Sequence, residues 1–172
     1  MISRKEQLQQ EFKRTDAVAP GIDPVLIKHQ KMAMNPFRFL RGSSGLFYAD
    51  IKNSVLQLPE LLTSKIPLTT VIGDCHLSNF GFFTEEGSSG SEVIFAPNDF
   101  DDACIGHAVW DLSRFAVSLL LAVDESQQQL ASSPAAQPPL QAATAEQAAA
   151  AVLLFFRQYA RQCQQIAEDP EL

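Results

Sequence analysis

Gly73-Asp74-Cys75-His76-Leu77-Ser78-Asn79-Phe80-Gly81 sets a carboxylate and an amide five positions apart, on a loop between two apolar runs. Thr69-Thr70-Val71-Ile72 precedes the loop, and Phe80-Gly81-Phe82-Phe83 follows it. Asn98-Asp99-Phe100-Asp101-Asp102-Ala103 repeats the arrangement after a third run, Val93-Ile94-Phe95-Ala96, and Trp110-Asp111-Leu112 closes the set. Short acidic and amide side chains where an apolar run gives way to a loop, with a glycine to turn the backbone, are a usual setting for a divalent cation. If the three runs are neighbouring strands, Asp74, Asn79 and Asp99 converge at one end of a small sheet.

Toward the N-terminus, Pro59 and Pro67 bracket a loop or short helical turn, and the β-branched Thr69–Ile72 predicts a buried strand. Asn35-Pro36 opens an aromatic-rich segment with apolar residues at 37, 40, 47 and 51 on one helical face. Gly42 and Gly45 weaken that helix and allow either close packing or, together with Arg41, contact with a phosphate. Asp23-Pro24 offers an N-cap and a first-turn proline for a helix over Val25–Met34, with His29 on its polar face. A short helix is expected in the polar first 20 residues, ending before Val18-Ala19-Pro20-Gly21.

Toward the C-terminus, Phe80–Thr84 and Val93–Ala96 read as two strands joined by the polar, glycine-rich loop Glu85–Glu92. From Trp110 the period turns helical, with Leu112, Phe115, Ala116, Leu119, Leu120 and Val123 on one face. Residues 124–139, rich in Gln, Ser, Ala and Pro and without periodicity, are expected to form a flexible loop. A long helix is expected over 140–168, its apolar face carrying Ala149, Val152, Leu153, Phe156, Ala160 and Cys163. The fold class expected is α+β: one mostly helical domain over 1–172 with a small β-hairpin region.

The chain has 172 residues, 46% of them hydrophobic, which suffices for one domain to bury a core. A formal charge of −7 argues against sequence-independent nucleic-acid binding, which needs clustered cations; only Lys28, Lys31, Arg38 and Arg41 form a weak basic set. Cys75, Cys104 and Cys163 form no Cys-x-x-Cys pair, which speaks for a reducing compartment and against a zinc or disulfide framework. The polar start has no apolar signal core, and no run approaches the roughly 18 residues that span a bilayer. The expectation is a cytoplasmic protein with neither nucleic acid nor membrane as partner.

The ordered motifs resemble the catalytic half of the kinase-like phosphotransferases, especially the aminoglycoside and choline kinase branch. That branch carries Gly-Asp-x-His-x-x-Asn, as Gly73–Asn79 does, then a hairpin, then Asp-aromatic-acid-Asp-Ala, as Asp99–Ala103 does. Aromatic-Asp-Leu follows twelve residues beyond the first Asp, as Trp110-Asp111-Leu112 does. Over roughly residues 30–125 the chain is similar, more closely still, to the bacterial domain-of-unknown-function family 2252. That resemblance rests on Asn35-Pro36-Phe37-Arg38-Phe39-Leu40-Arg41-Gly42, the Gly73–Gly81 loop, Asn98-Asp99-Phe100-Asp101 and Trp110-Asp111-Leu112-Ser113-Arg114.

The resemblance implies that Asp74 is the catalytic-loop carboxylate that orients or deprotonates an acceptor hydroxyl. Asn79 and Asp99 would hold Mg²⁺ against the phosphates of ATP or another nucleoside triphosphate, and Asp101 or Asp102 would add a second metal contact. Asp111 would support the catalytic loop from behind, with Gly73 as its turn. His76 is expected to fix the loop or bond beside the metal, since no Ser or Cys pairs with it as a nucleophile. His107, beside Gly106, reads as a loop residue.

Two departures accompany the resemblance: Ile72 stands where the kinase branch usually has His, and the helical first 68 residues supply no glycine-rich phosphate loop or strand-borne Lys. In the resembling family a glycine-containing, β-rich segment with a Lys lies downstream, so the expectation is the front part of a longer protein, without its nucleotide lobe. Two rivals remain. A non-catalytic binding or regulatory module would keep the fold alone. A metal-dependent phosphoesterase would need more than the three His present.

Overall fold

Ser3 and Glu6 cap the first helix reciprocally: the Ser3 hydroxyl accepts from the Glu6 amide, and the Glu6 carboxylate accepts from the Ser3 amide at 2.6 Å. The structure, a computed structural model, describes residues 2–84, 90–132 and 141–169. Helix α1 (Arg4–Asp16) ends at Ala17, whose φ of 58° is left-handed. Helix α2 (Ile27–Met32) is shorter than expected, because Asp23 does not cap it. The Asp23 carboxylate accepts from the Ala19 amide at 2.8 Å and pairs with Lys13 at 2.9 Å, so it serves the preceding loop instead. Asn35 does cap α3 (Pro36–Gly42), accepting from the Arg38 amide at 2.8 Å.

Where the sequence suggested one weakened helix, the chain makes two, α3 and α4 (Ser44–Lys52), parted at Ser43, whose hydroxyl donates to the Phe39 carbonyl at 2.6 Å. The glycines are used for packing. A Cβ at Gly42 would stand 2.6 Å from the Met32 side chain, and one at Gly45 2.7 Å from Thr15 of α1. Phe12, Met32 and Leu46 form the core that these helices share, with Leu8 packed on it; each such side chain contributes about 1.5–3 kcal/mol by leaving water.

A short helix α5 (Glu60–Ser64) precedes strand β1 (Thr69–Val71). Strands β2 (Phe80–Thr84) and β3 (Val93–Pro97) pair antiparallel with Phe80 opposite Pro97. The expected single sheet is not formed. Strand β1 pairs instead with β4 (Cys104–Gly106), three residues too short to stand out in the sequence, so the strands make two separate two-stranded sheets. Of β1 only Val71 is buried, against the expectation of a wholly buried strand.

Helix α6 (Ala108–Ser132) runs through the first nine positions of the expected 124–139 loop. Gln and Glu are good helix formers, and here Gln128 donates to Asp124 at 3.0 Å and Gln129 to Glu125 at 3.3 Å. What disappears after Asp124 is burial, and with it the apolar period, while the helix itself continues. The remainder of that expected loop, 133–139, lies outside the described residues, as do residues 85–89 of the expected hairpin loop. Helix α7 (Ala145–Glu168) starts later than expected, at a Thr144–Gln147 capping box.

The chain packs as two compact units, Met1–Asp74 with Phe100–Val109 and Cys75–Asp99 with Trp110–Leu172. Within the second unit a run of aromatic rings ties hairpin to helices. Phe95, Phe80, Phe115, Phe155 and Tyr159 follow one another at centroid spacings of 5.8, 5.0, 4.8 and 6.5 Å. Phe155 and Val152 are half-buried and Ala148 is buried, whereas Leu153 and Phe156 of the expected apolar face are exposed. That face is displaced by about one residue, because an Ala-rich helix offers several stripes of similar hydropathy. Among the described residues no helix is long and apolar enough to cross a membrane.

Candidate functional site

The backbone at Gly73 has φ +89°, a conformation that side-chain-bearing residues rarely adopt. A Cβ added there would overlap the main-chain carbonyl of Asp102. Both facts call for glycine independently. The Gly73 carbonyl accepts the Tyr48 hydroxyl proton at 2.5 Å, and the Ser44 hydroxyl donates to the Asp102 carboxylate at 2.7 Å. Ser44 and Tyr48 lie one turn apart on α4, so a single helix face holds the Gly73-Asp74 turn and the Asp101-Asp102 segment. Asp74 is half-buried; Asp101 and Asp102 are exposed. Arg41 is exposed, its guanidinium 6.0 Å from the centre of the Phe37 ring.

In the second unit, His76 and Asn79 are buried at the ends of a short 3₁₀ turn, Leu77–Asn79, closed by the Asn79 amide donating to the His76 carbonyl at 2.9 Å. The Leu77 amide donates to the Ser118 hydroxyl at 2.9 Å, and Ser118 passes its own proton to the Phe115 carbonyl at 2.7 Å. Ser118 is fully buried on α6, so the loop is pinned to the helix that follows it. The Asn98 amide donates to the Asn79 carbonyl at 3.0 Å, which carries the hairpin pairing one step past Phe80 and Pro97. Asn79 and Asp99 therefore leave the β2–β3 hairpin at the same open end, Asn79 buried and Asp99 exposed. Asp111, half-buried in the first turn of α6, faces α7. Burial, then Cys163, then the Asp111 charge hold the Tyr159 phenol above its ordinary pKa.

Gly73, Asp74, Asp101, Asp102 and Arg41 thus belong to the first unit, and His76, Asn79, Asp99 and Asp111 to the second. Within the second, the hairpin brings Asn79 and Asp99 to one end; within the first, α4 brings Gly73 and Asp102 together. Among the described residues no three His, Cys, Asp or Glu side chains are grouped to hold a metal ion. The pair at the hairpin end is of another kind, one amide and one carboxylate. Two hard oxygen donors suit Mg²⁺, which keeps most of its water and takes further oxygens from substrate phosphates. Ser44, Tyr48 and Ser118 escaped the sequence reading. Ser44 and Tyr48 have the i, i+4 spacing of a shared face, but nothing in the sequence says what that face meets.

Neither a curated protein nor a solved structure matches the chain. Residues 23–172 match the family described as an uncharacterized protein conserved in bacteria, DUF2252, and with well over half its length matched the chain belongs to that family.

Proposed function

We propose that this chain is a kinase-like, Mg²⁺-dependent phosphotransferase half that uses a nucleoside triphosphate and an acceptor hydroxyl. The observation that supports the reading is the hairpin end, where the Asn98 amide donates to the Asn79 carbonyl and Asp99 follows one residue beyond. The order of the three motifs supports it.

In this reading the acceptor oxygen forms a bond to the γ-phosphorus, the bond from that phosphorus to its bridging oxygen breaks, and a nucleoside diphosphate leaves. The acceptor proton passes to the Asp74 carboxylate, which also aims the oxygen. Bound Mg²⁺ would neutralise charge on the phosphates, which with positioning is most of what such a transfer needs. By the motif resemblance alone, Asn79 and Asp99 would be its ligands and Asp101 a further contact. The buried His76 keeps the loop in shape, and Asp111 supports it through α6. A likeness of motifs to kinases names no substrate.

The test is a calorimetric titration of the chain with a non-hydrolysable ATP analogue, with and without Mg²⁺. Binding is expected only with Mg²⁺, and Asp99→Asn should weaken it by about tenfold or more. Equal binding with and without the metal, or no effect of Asp99→Asn, overturns the metal assignment. No nucleotide binding under either condition favours the non-catalytic module, which keeps the fold alone.

A further inference from the structure

A cleft of about 530 Å³ opens within the first unit, between α1, the α3–α4 junction and the segment that carries Asp102. That volume lies in the range of small-molecule sites. Its chemistry is decided by where the hydroxyl protons go. Thr15 donates to the Glu11 carbonyl at 3.1 Å, Ser44 to the Asp102 carboxylate at 2.7 Å, and Tyr48 to the Gly73 carbonyl at 2.5 Å. A hydroxyl has one proton to give, so these three oxygens meet a ligand as acceptors, as the Asp102 carboxylate does. These oxygens therefore ask for donors, while Lys28 and Arg14 offer N–H groups to a ligand's own oxygens.

The cleft's cations are already matched. Lys28 lies 2.7 Å from Asp16, and Arg14 pairs with Glu11 one turn away. With both cations matched by carboxylates the lining offers no net positive charge, and an anion would also face Asp102. Phe12 and Leu46 supply an apolar floor for carbon-bound faces. A compact carbon frame bearing several O–H donors and no negative charge meets each condition.

We infer that this cleft binds an uncharged polyol or sugar, and that this ligand is the hydroxyl acceptor. The acceptor role rests on the phosphotransfer reading; the binding does not. The link between the two is Tyr48, a wall of the cleft whose hydroxyl fixes the carbonyl of the residue before Asp74.

The intact chain is titrated by calorimetry and saturation-transfer NMR with myo-inositol and D-glucose, and with inorganic phosphate as the anionic probe. Millimolar binding of a polyol is expected, weakened about tenfold by Ser44→Ala and by Asp102→Asn, with no phosphate binding. Thr15→Val provides a second wall of the cleft should Asp102→Asn fail to fold. No polyol binding, preference for phosphate, or binding indifferent to both Ser44→Ala and Thr15→Val overturns the inference. The nucleotide titration on the same samples separates the two claims. Nucleotide binding without polyol binding overturns the cleft assignment alone. Polyol binding without nucleotide binding upholds the cleft as a site and removes its role as acceptor pocket.

Discussion

At Gly73 two constraints act on one α-carbon: a backbone that side chains avoid, and the Asp102 carbonyl occupying the space a Cβ would need. Neither neighbour can yield cheaply, because Asp102 is held by Ser44 and the Gly73 carbonyl by Tyr48. Gly73→Ala should therefore cost on the order of 3 kcal/mol of stability, read as a shift of the urea midpoint. A loss below about 0.5 kcal/mol, the usual effect of an unconstrained surface change, would show that the turn relaxes freely. This glycine was legible from its place before Asp74. Its partners were not, since Tyr48 and Ser44 precede the loop by more than twenty residues and look like ordinary helix residues.

Elements were legible where burial and secondary structure coincide, and misread where they part. The hairpin strands β2 and β3 and the Asn35 cap follow directly from local sequence. Helix α6 was expected to stop where its apolar period stops, yet the half-buried Glu125 and the exposed Gln127, Gln128 and Gln129 carry it on to Ser132. Helix α7 shows the same weakness in its facing. Phe155 touches Phe115 of α6 at 4.8 Å between ring centres, while Phe156 is 39% exposed. Phe155→Ala should cost about 3 kcal/mol, and Phe156→Ala well under half as much, by thermal or urea unfolding. The reverse order would restore the face first expected from the sequence.

For the molecule as a whole, the acidic composition has a consequence for acid stability that is concentrated around α1. Burial works to raise the Asp16 carboxyl, but hydrogen bonds and charge from Lys28 and His29 outweigh it and leave Asp16 below its ordinary pKa. The Ala19 amide, then Lys13, lowers Asp23; the Ser3 amide and hydroxyl lower Glu6. Each of these groups is protonated more readily in the unfolded chain, so its contribution is present above the ordinary carboxylate range and lost as pH falls through and below about 4. Stability should drop with pH there, and Asp16→Asn should flatten part of the drop, measured as urea midpoints across the acid range. An unchanged slope in Asp16→Asn would remove Asp16 from that account. The pairing of β1 was not legible, because its partner is a strand of three residues that no periodicity announces. The β2–β3 hairpin carries a last implication. Because its pairing continues from Phe80 and Pro97 to Asn79 and Asn98, the residue that stands opposite Asn79, with Asp99 one step beyond it, is fixed by register, much as a reading frame is. Losing one residue from β3 would slide Asp99 into the place of Asn98 and turn each later side chain to the opposite face, whereas length changes outside the paired residues leave the count, and the pair, intact.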